Sequence, residues 1–268
     1  MSVDPAAPHA PAVEVRDLVK RYGTLTALDG LDLTVERGSF YAFLGPNGAG
    51  KSTTISILTC VYSPDAGSVR ILGRDAISEP LAVKSRIGVV PEELALFERL
   101  TGRQYLSFCG RMYGLDRADA EGRADELLGL VELTGKGADL VGALSKGMRR
   151  RLAIAASLIH APEVLFLDEP FEGIDVLAAG VIREILRELS RSGVTILLTT
   201  HILEVAERLA THAGVIRAGR MVAEGPIGDL CRRHDAGCLE EVFEGLIGAP
   251  SARGGRLSFY GNGNGNGR

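Results

Sequence analysis

The sequence predicts an α/β fold: a mostly parallel sheet, an antiparallel β segment ahead of it, and a helical block inserted into it. Three observations carry this prediction. A glycine-rich run, Gly45-Pro46-Asn47-Gly48-Ala49-Gly50-Lys51-Ser52-Thr53, separates the apolar stretch Phe40-Tyr41-Ala42-Phe43-Leu44 from a helical stretch beginning at Lys51. A second apolar run, Val164-Leu165-Phe166-Leu167, stops abruptly at Asp168-Glu169. From Ser145 onward, short apolar strands alternate with amphipathic helices, as a parallel sheet requires.

Along the chain, Met1 to Pro11 is rich in Pro and Ala and predicts a disordered tail, so residues 1–12 are set apart. Val13 to Tyr22 alternates apolar and polar residues, as a half-exposed strand does. Leu25 to Glu36 repeats the alternation around Asp29-Gly30, a turn signal. Ser68 to Leu72 is a short strand after the turn at Asp65-Ala66-Gly67. Ile87 to Val90 is a buried strand stopped by Pro91. Between about 94 and 150 the pattern turns helical, with Tyr105, Phe108, Met112, Ala124, Leu127, Leu128 and Val131 at helix spacing. Ser145 caps a helix ending before Pro162. Val164 to Leu167 is a strand, Asp175 to Arg191 a helix, Val194 to Thr199 a strand, Leu203 to Ala210 a helix. Gly214 to Ala223 reads as a hairpin around Ala218-Gly219. Residues 226–250 form an extension with one short helix, Leu239 to Ile247, and the Gly/Asn-rich tail at 251–268 predicts disorder.

Bulk properties narrow the classes. With 268 residues the chain suits one large α/β domain or two small ones, and the glycine-rich run occurs once. Lys plus Arg is 30 and Asp plus Glu is 34, a net charge of −4, without the basic surplus that a nucleic-acid partner needs. Cys60, Cys109, Cys231 and Cys238 are scattered, which favours a reduced setting over a disulfide framework or zinc site. The N-terminus lacks a basic-then-apolar leader pattern. The most apolar stretches, Leu152 to Ile159 and Val194 to Leu198, fall short of the roughly 18 residues a membrane span needs.

The glycine-rich run answers to triphosphate chemistry. Gly45 and Gly50, with four residues between them, precede Lys51 and Ser52, the pattern of a phosphate-loop NTPase core. The loop curls so that backbone N–H groups face phosphate oxygens, and the helix after it adds its N-terminal dipole. Lys51 reaches the β- and γ-phosphates, and the Ser52 hydroxyl is a Mg²⁺ ligand. Asp168 suits a place beside Mg²⁺. Glu169, one residue past the strand, is placed to polarise a water aimed at the γ-phosphorus. His201 ends the strand Ile196 to Thr200, where parallel sheets present ligands. A guanine-selecting Asn-Lys-x-Asp loop is excluded, because Asn occurs only at 47, 262, 264 and 266. A kinase leaves Ser145 unexplained.

Leu144-Ser145-Lys146-Gly147-Met148 resembles the signature motif of ATP-binding cassette proteins. With the phosphate loop, Asp168-Glu169, Gly173-Ile174-Asp175 and Thr200-His201, the family's series stands in order across about 13–225. The resemblance implies a head-to-tail dimer closing on two ATP molecules, with Ser145 and Gly147 meeting the γ-phosphate of the opposite subunit and Asp175 at the boundary. Lys146 and Met148 depart from the usual glycine and glutamine; Lys146 either draws phosphate or faces solvent. Tyr22 matches the position whose ring stacks on adenine. Glu92 stands where the family has a glutamine linking Mg²⁺ to the transporter contact. These features resemble the bacterial drug- and polyketide-exporter group.

On that resemblance the chain is the ATP-hydrolysing subunit of an exporter. It would work with a separate membrane permease and a second copy of itself, on the cytoplasmic membrane face. A soluble cassette acting on ribosomes or nucleic acid is the alternative. Leu94, Leu96, Phe97 and Leu100 either dock a permease helix or pack inside the insertion. Arg149, Arg150 and Arg151 read as a solvated helix face.

Overall fold

The computed structural model describes residues 10–248. Of the tails expected at 1–12 and 251–268, residues 1–9 and 251–268 lie outside the described residues, as do the last two residues, 249–250, of the expected extension. Ala10 to Ala12 do not belong to a tail. Ala12 is buried, donates to the Val35 carbonyl and accepts from the Leu72 N–H, joining the first sheet.

Strands β1 (Val13–Tyr22) and β2 (Leu25–Val35) pair antiparallel, and β3 (Phe40–Leu44) and helix α1 (Lys51–Leu58) come next. Asp29-Gly30 is not a turn. The strand runs through it, and pairing steps from Leu18 with Leu31 to Val19 with Asp29, leaving Gly30, at φ +75°, as the extra residue of a bulge. Strand β4 (Ala66–Ile71) pairs with β1 and with the two-residue β5 (Arg74–Asp75). The four form an antiparallel sheet in the order β2-β1-β4-β5.

A short helix α2 (Pro80–Lys84) leads to β6 (Ile87–Val90). The insertion holds α3 (Gly102–Met112) and α4 (Arg117–Leu130), each opened by a side-chain cap: Thr101 accepts from Gln104 N–H, Asp116 from Asp119 N–H. Helix α5 (Lys146–Leu158) starts at Ser145, whose Oγ accepts from Met148 N–H at 3.2 Å. Then come β7 (Val164–Asp168), α6 (Val176–Arg191), β8 (Thr195–Thr199), α7 (Leu203–Leu209), β9 (His212–Arg217) and β10 (Arg220–Pro226). The extension holds two helices, α8 (Ile227–Arg233) and α9 (Leu239–Ile247), where one was expected.

The second sheet has the order β10-β9-β3-β8-β7-β6, parallel except for β10 at its edge. Its central strands β3, β7 and β8 are buried on both faces, so they read as continuous apolar runs without alternation. These three are neighbours, and their register aligns Phe43, Thr199 and Asp168 in one row. The segments leaving their carboxyl ends therefore emerge side by side, where open parallel sheets bind ligands. The two sheets are tied together at Glu224, whose Oε1 accepts from Tyr41 OH at 2.8 Å and from Thr34 N–H at 3.1 Å. Burial, and then Glu224 itself, hold the Tyr41 phenol protonated.

Candidate nucleotide site

The loop from Gly45 to Gly50 bends back over the end of β3. Gly50 sits at φ +111°, and a Cβ there would lie 2.7 Å from the Ala27 carbonyl, so backbone conformation and space both demand glycine. Ala49 is not in the cleft wall; its side chain joins the core beneath, and its N–H closes the turn onto the Pro46 carbonyl at 3.1 Å. The Lys51 ammonium is buried and donates to the carbonyls of Gly45 at 2.8 Å and Pro46 at 3.3 Å, so its charge is held at the mouth of the loop.

A cleft of about 810 Å³ collects most of the residues named from the sequence. The loop residues Gly45, Pro46, Asn47, Gly48, Gly50, Lys51, Ser52 and Thr53 line it, together with Tyr22, Glu92, Glu169 and His201. Tyr22 is 43% exposed at the rim, with the edge of Tyr62 at 6.4 Å between centroids and the Lys20 ammonium 5.5 Å from its ring. Ser145 and Gly147 are not among the lining residues of this cleft.

Asp168 and Glu169 are oriented by Thr199, a residue that no motif in the sequence singles out. Thr199, fully buried, donates its hydroxyl to Asp168 Oδ1 and accepts from the Glu169 N–H at 3.1 Å. Its position opposite Asp168 in the strand register is the signal, and it requires knowing which strands are neighbours. Glu169 itself adopts φ +46°, a conformation uncommon for a residue with a side chain and characteristic of functional positions. Its Oε2 accepts from the His201 N–H at 3.3 Å and lies 3.0 Å from His201 Nδ1; the tautomer with hydrogen on Nδ1 donates to it.

Arg150 corrects the reading of the Arg149–Arg151 run as a solvated face. It is 2% exposed, and its guanidinium donates to the Pro91 carbonyl at 2.7 Å and the Glu92 carbonyl at 2.8 Å. Arg151 donates to the Val131 carbonyl at 2.8 Å. Only Arg149 stays near solvent, 3.5 Å from Glu98. The Glu92 carboxyl is pushed up from its ordinary pKa, first by burial and then by Asp168, Glu172 and Glu169. Glu172 also lines the cleft, a role its place in the sequence does not reveal. Lys146 is exposed, and its ammonium reaches over Gly173, where a Cβ would stand.

A glycine-rich loop at the carboxyl end of a parallel sheet, with buried carboxylates at the end of the next strand but one, defines a phosphate-loop nucleoside triphosphatase. Within that class the chain belongs to the ABC transporter family, whose profile matches residues 28–172, and it is accordingly an ATP-binding ATPase. It is 47% identical over 243 residues to the daunorubicin resistance ATP-binding protein DrrA3 of Streptomyces coeruleorubidus, covering 90% of this chain and 77% of that one. It is 43% identical over 240 residues to the Nod factor export ATP-binding protein I of Ralstonia nicotianae, covering 89% and 74%. Among solved structures, an ATP-binding subunit of an ABC transporter superposes with a TM-score of 0.81 at 32% identity, covering 88% of this chain and 99% of that one. A dimeric ATP-binding cassette in a post-hydrolysis state with ADP and Pi superposes at 0.74 with 25% identity, covering 80% and 98%. The comparisons lend the ribosome or nucleic-acid alternative no support.

Proposed function

We propose that the chain is the ATP-hydrolysing subunit of an exporter, working as a head-to-tail dimer beneath a separate membrane permease. One observation carries the reading. The phosphate loop, Glu169 and His201 share one cleft, while Ser145 and Gly147, the matching half of the family's site, lie outside it. A second copy supplies them. The relatives' names, a drug-resistance subunit and a Nod factor export subunit, support export. Among the described residues no helix is long and apolar enough to cross a membrane. A peripheral place on the cytoplasmic face goes with the permease partnership.

In this reading the loop N–H groups and Lys51 hold the β- and γ-phosphates, and Tyr22 stacks on adenine. Glu169 accepts a proton from the attacking water as its oxygen bonds to the γ-phosphorus and ADP departs. His201 holds the Glu169 carboxylate and faces the γ-phosphate. Ser52, Asp168 and Glu92 offer oxygen donors that suit Mg²⁺, and the convergence of acid on Glu92 fits a cation there. When bound, Mg²⁺ neutralises developing charge on the phosphates. Ser145, with Gly147 and the free N–H groups opening α5, receives the partner's γ-phosphate.

The permease contact lies beside Glu92. Leu94 and Leu96 pack against the helical core, whereas Phe97 is 57% exposed and meets Phe108 edge-on at 5.3 Å. A groove of about 260 Å³ between Pro91, Leu96, Tyr105 and Tyr113 is a seat for one apolar helix face. The test is recovery from detergent-solubilised membranes: an integral membrane protein retained by the tagged chain supports the reading, and ribosomes recovered without one sink it.

A further inference from the structure

Val176 and Leu177 open helix α6 and are 79% and 83% exposed, an aliphatic pair standing in solvent. They lie next to Asp175, and this end of α6 touches the start of α5 at backbone range. A Cβ on Gly147 would lie 2.9 Å from Ala178 Cβ and 3.2 Å from Asp175 Oδ2. The pair therefore flanks Ser145 and Gly147, on the surface that serves the second copy.

The nucleotide cleft has one wall residue far beyond the stretch that the family profile matches. Phe243, on α9, lines it together with Asn47 and His201. Its helix is firmly seated: Leu239 and Val242 are buried, the Leu239 N–H donates to Glu207 Oε1 at 3.4 Å, and Arg217 donates to the Leu246 carbonyl at 3.1 Å. α9 shares its apolar cluster with Leu203 and Ala206 of α7, the helix just after His201, so Phe243 belongs to the His201 side of the cleft.

We propose that Val176 and Leu177 of one protomer dock against the Phe243 rim of its partner's cleft, making the C-terminal extension part of the closed dimer. The proposal rests on the head-to-tail reading above and specifies its contact. Ser145 reaches a second copy's phosphate loop only if the head of α6, in contact with the same helix end at Gly147, descends on that cleft too. The His201 side is assigned because the segment running to Asp175 starts against His201, with Glu169 Oε2 3.0 Å from its Nδ1. Two-fold symmetry makes the contact twice and covers all four exposed aliphatic side chains.

The test uses the full chain carrying Glu169→Gln, with ATP, and reads dimer by light scattering. Leu177→Asp weakens ATP-driven dimerisation by about tenfold or more, as expected when an apolar contact at the centre of an interface is lost, while calorimetry shows ATP binding by the monomer retained. Phe243→Asp weakens dimerisation likewise. Combining Leu177→Asp with Phe243→Lys restores it, because each aspartate then faces a lysine of the partner; this also shows that neither change destroys the fold. Dimerisation indifferent to both aspartates, or a Leu177→Asp defect that Phe243→Lys leaves unrepaired, overturns the contact. Absence of any ATP-driven dimer with Glu169→Gln alone is a different result: it defeats the head-to-tail reading and this proposal with it.

Discussion

Arg150 grips the loop that carries Glu92: its Nη1 donates to the Pro91 carbonyl at 2.7 Å and its Nη2 to the Glu92 carbonyl at 2.8 Å. The guanidinium stands on α5, the helix whose first residues form the signature, so one side chain joins that helix to a loop of the cleft. Burial lowers the Arg150 pKa and Glu172, Glu92 and Asp168 oppose that shift, a charge kept inside by its acidic surroundings. Arg150→Ala is expected to destabilise the fold by roughly 3 kcal/mol, since two charge-assisted, part-buried hydrogen bonds are lost and the core around the guanidinium is left unfilled. Arg150→Lys restores one bond at most and recovers only part of the melting temperature. Thermal unfolding of the two variants beside wild type checks the ordering.

Glu169 and Lys51 are expected to fail differently. Glu169→Gln keeps ATP binding, lowers hydrolysis by roughly 10²–10⁴-fold, and accumulates ATP-bound dimer. Lys51→Ala loses ATP binding outright, because the ammonium at the loop mouth is gone. Calorimetry and phosphate release separate the two, and wild-type turnover by Glu169→Gln would remove that residue from the chemistry.

Sharing of the site between subunits is open to a mixing test. Ser145→Arg and Lys51→Ala are each inactive alone. Mixed, they form heterodimers with one site built entirely from unaltered residues, and a fraction of the activity returns. A mixture that stays silent counts against a shared site.

The raised pKa of Glu92 carries a sign. Its folded value lies above its unfolded value, so the folded state binds the proton more tightly. Ionisation therefore erodes stability as pH rises from the unfolded value through the folded one, and the erosion is complete above it. Without Mg²⁺, Glu92→Gln should melt higher than wild type at pH about 8 and lose that advantage near pH about 4, on either side of the carboxyl's titration. Added Mg²⁺ should raise the melting temperature of wild type more than that of the variant. Differential scanning calorimetry at the two pH values, with and without the ion, reads both effects.

Thr199→Val preserves shape but removes the hydroxyl that Asp168 Oδ1 accepts from; the Glu169 N–H keeps the Thr199 carbonyl at 3.2 Å. A cost of roughly 1–3 kcal/mol arises from the buried Asp168 oxygen left without its donor, and turnover falls because the Asp168 carboxylate loses its orientation. Unchanged turnover in a folded variant would make Thr199 a packing residue only.

Much of this site was legible in residue order, because its chemistry lies in short runs at strand ends. Phe40 to Leu44, Val164 to Leu167 and Ile196 to Thr199 are too apolar to be anything but buried strands, and each gives way to a polar or glycine-rich turn at its carboxyl end. The misreadings came where one local signal serves two structures. Asp29-Gly30 offers a positive φ, which suits a turn or a bulge equally, and only the partner strand decides between them. The arginine run looked solvated because three charges in a row usually are. Helical spacing was the missed clue: Arg150 lies three residues after Gly147 and four before Ile154, on the face that α5 buries. The helix α2, five residues long, is too short to show a period at all. Thr199 needed the sheet order, a long-range fact.

Gly147 leaves the head of α6 and the start of α5 in near-backbone contact, with Lys146 laid across Gly173 on the same seam. On the proposed reading, the residues that serve a neighbour's nucleotide thus pack directly on the strand-end segment that works on a protomer's own. A dimer assembled from such protomers has no means of firing one half in ignorance of the other. Its turnover should rise with ATP more steeply than a hyperbola, and one dead protomer should slow its living companion by more than half.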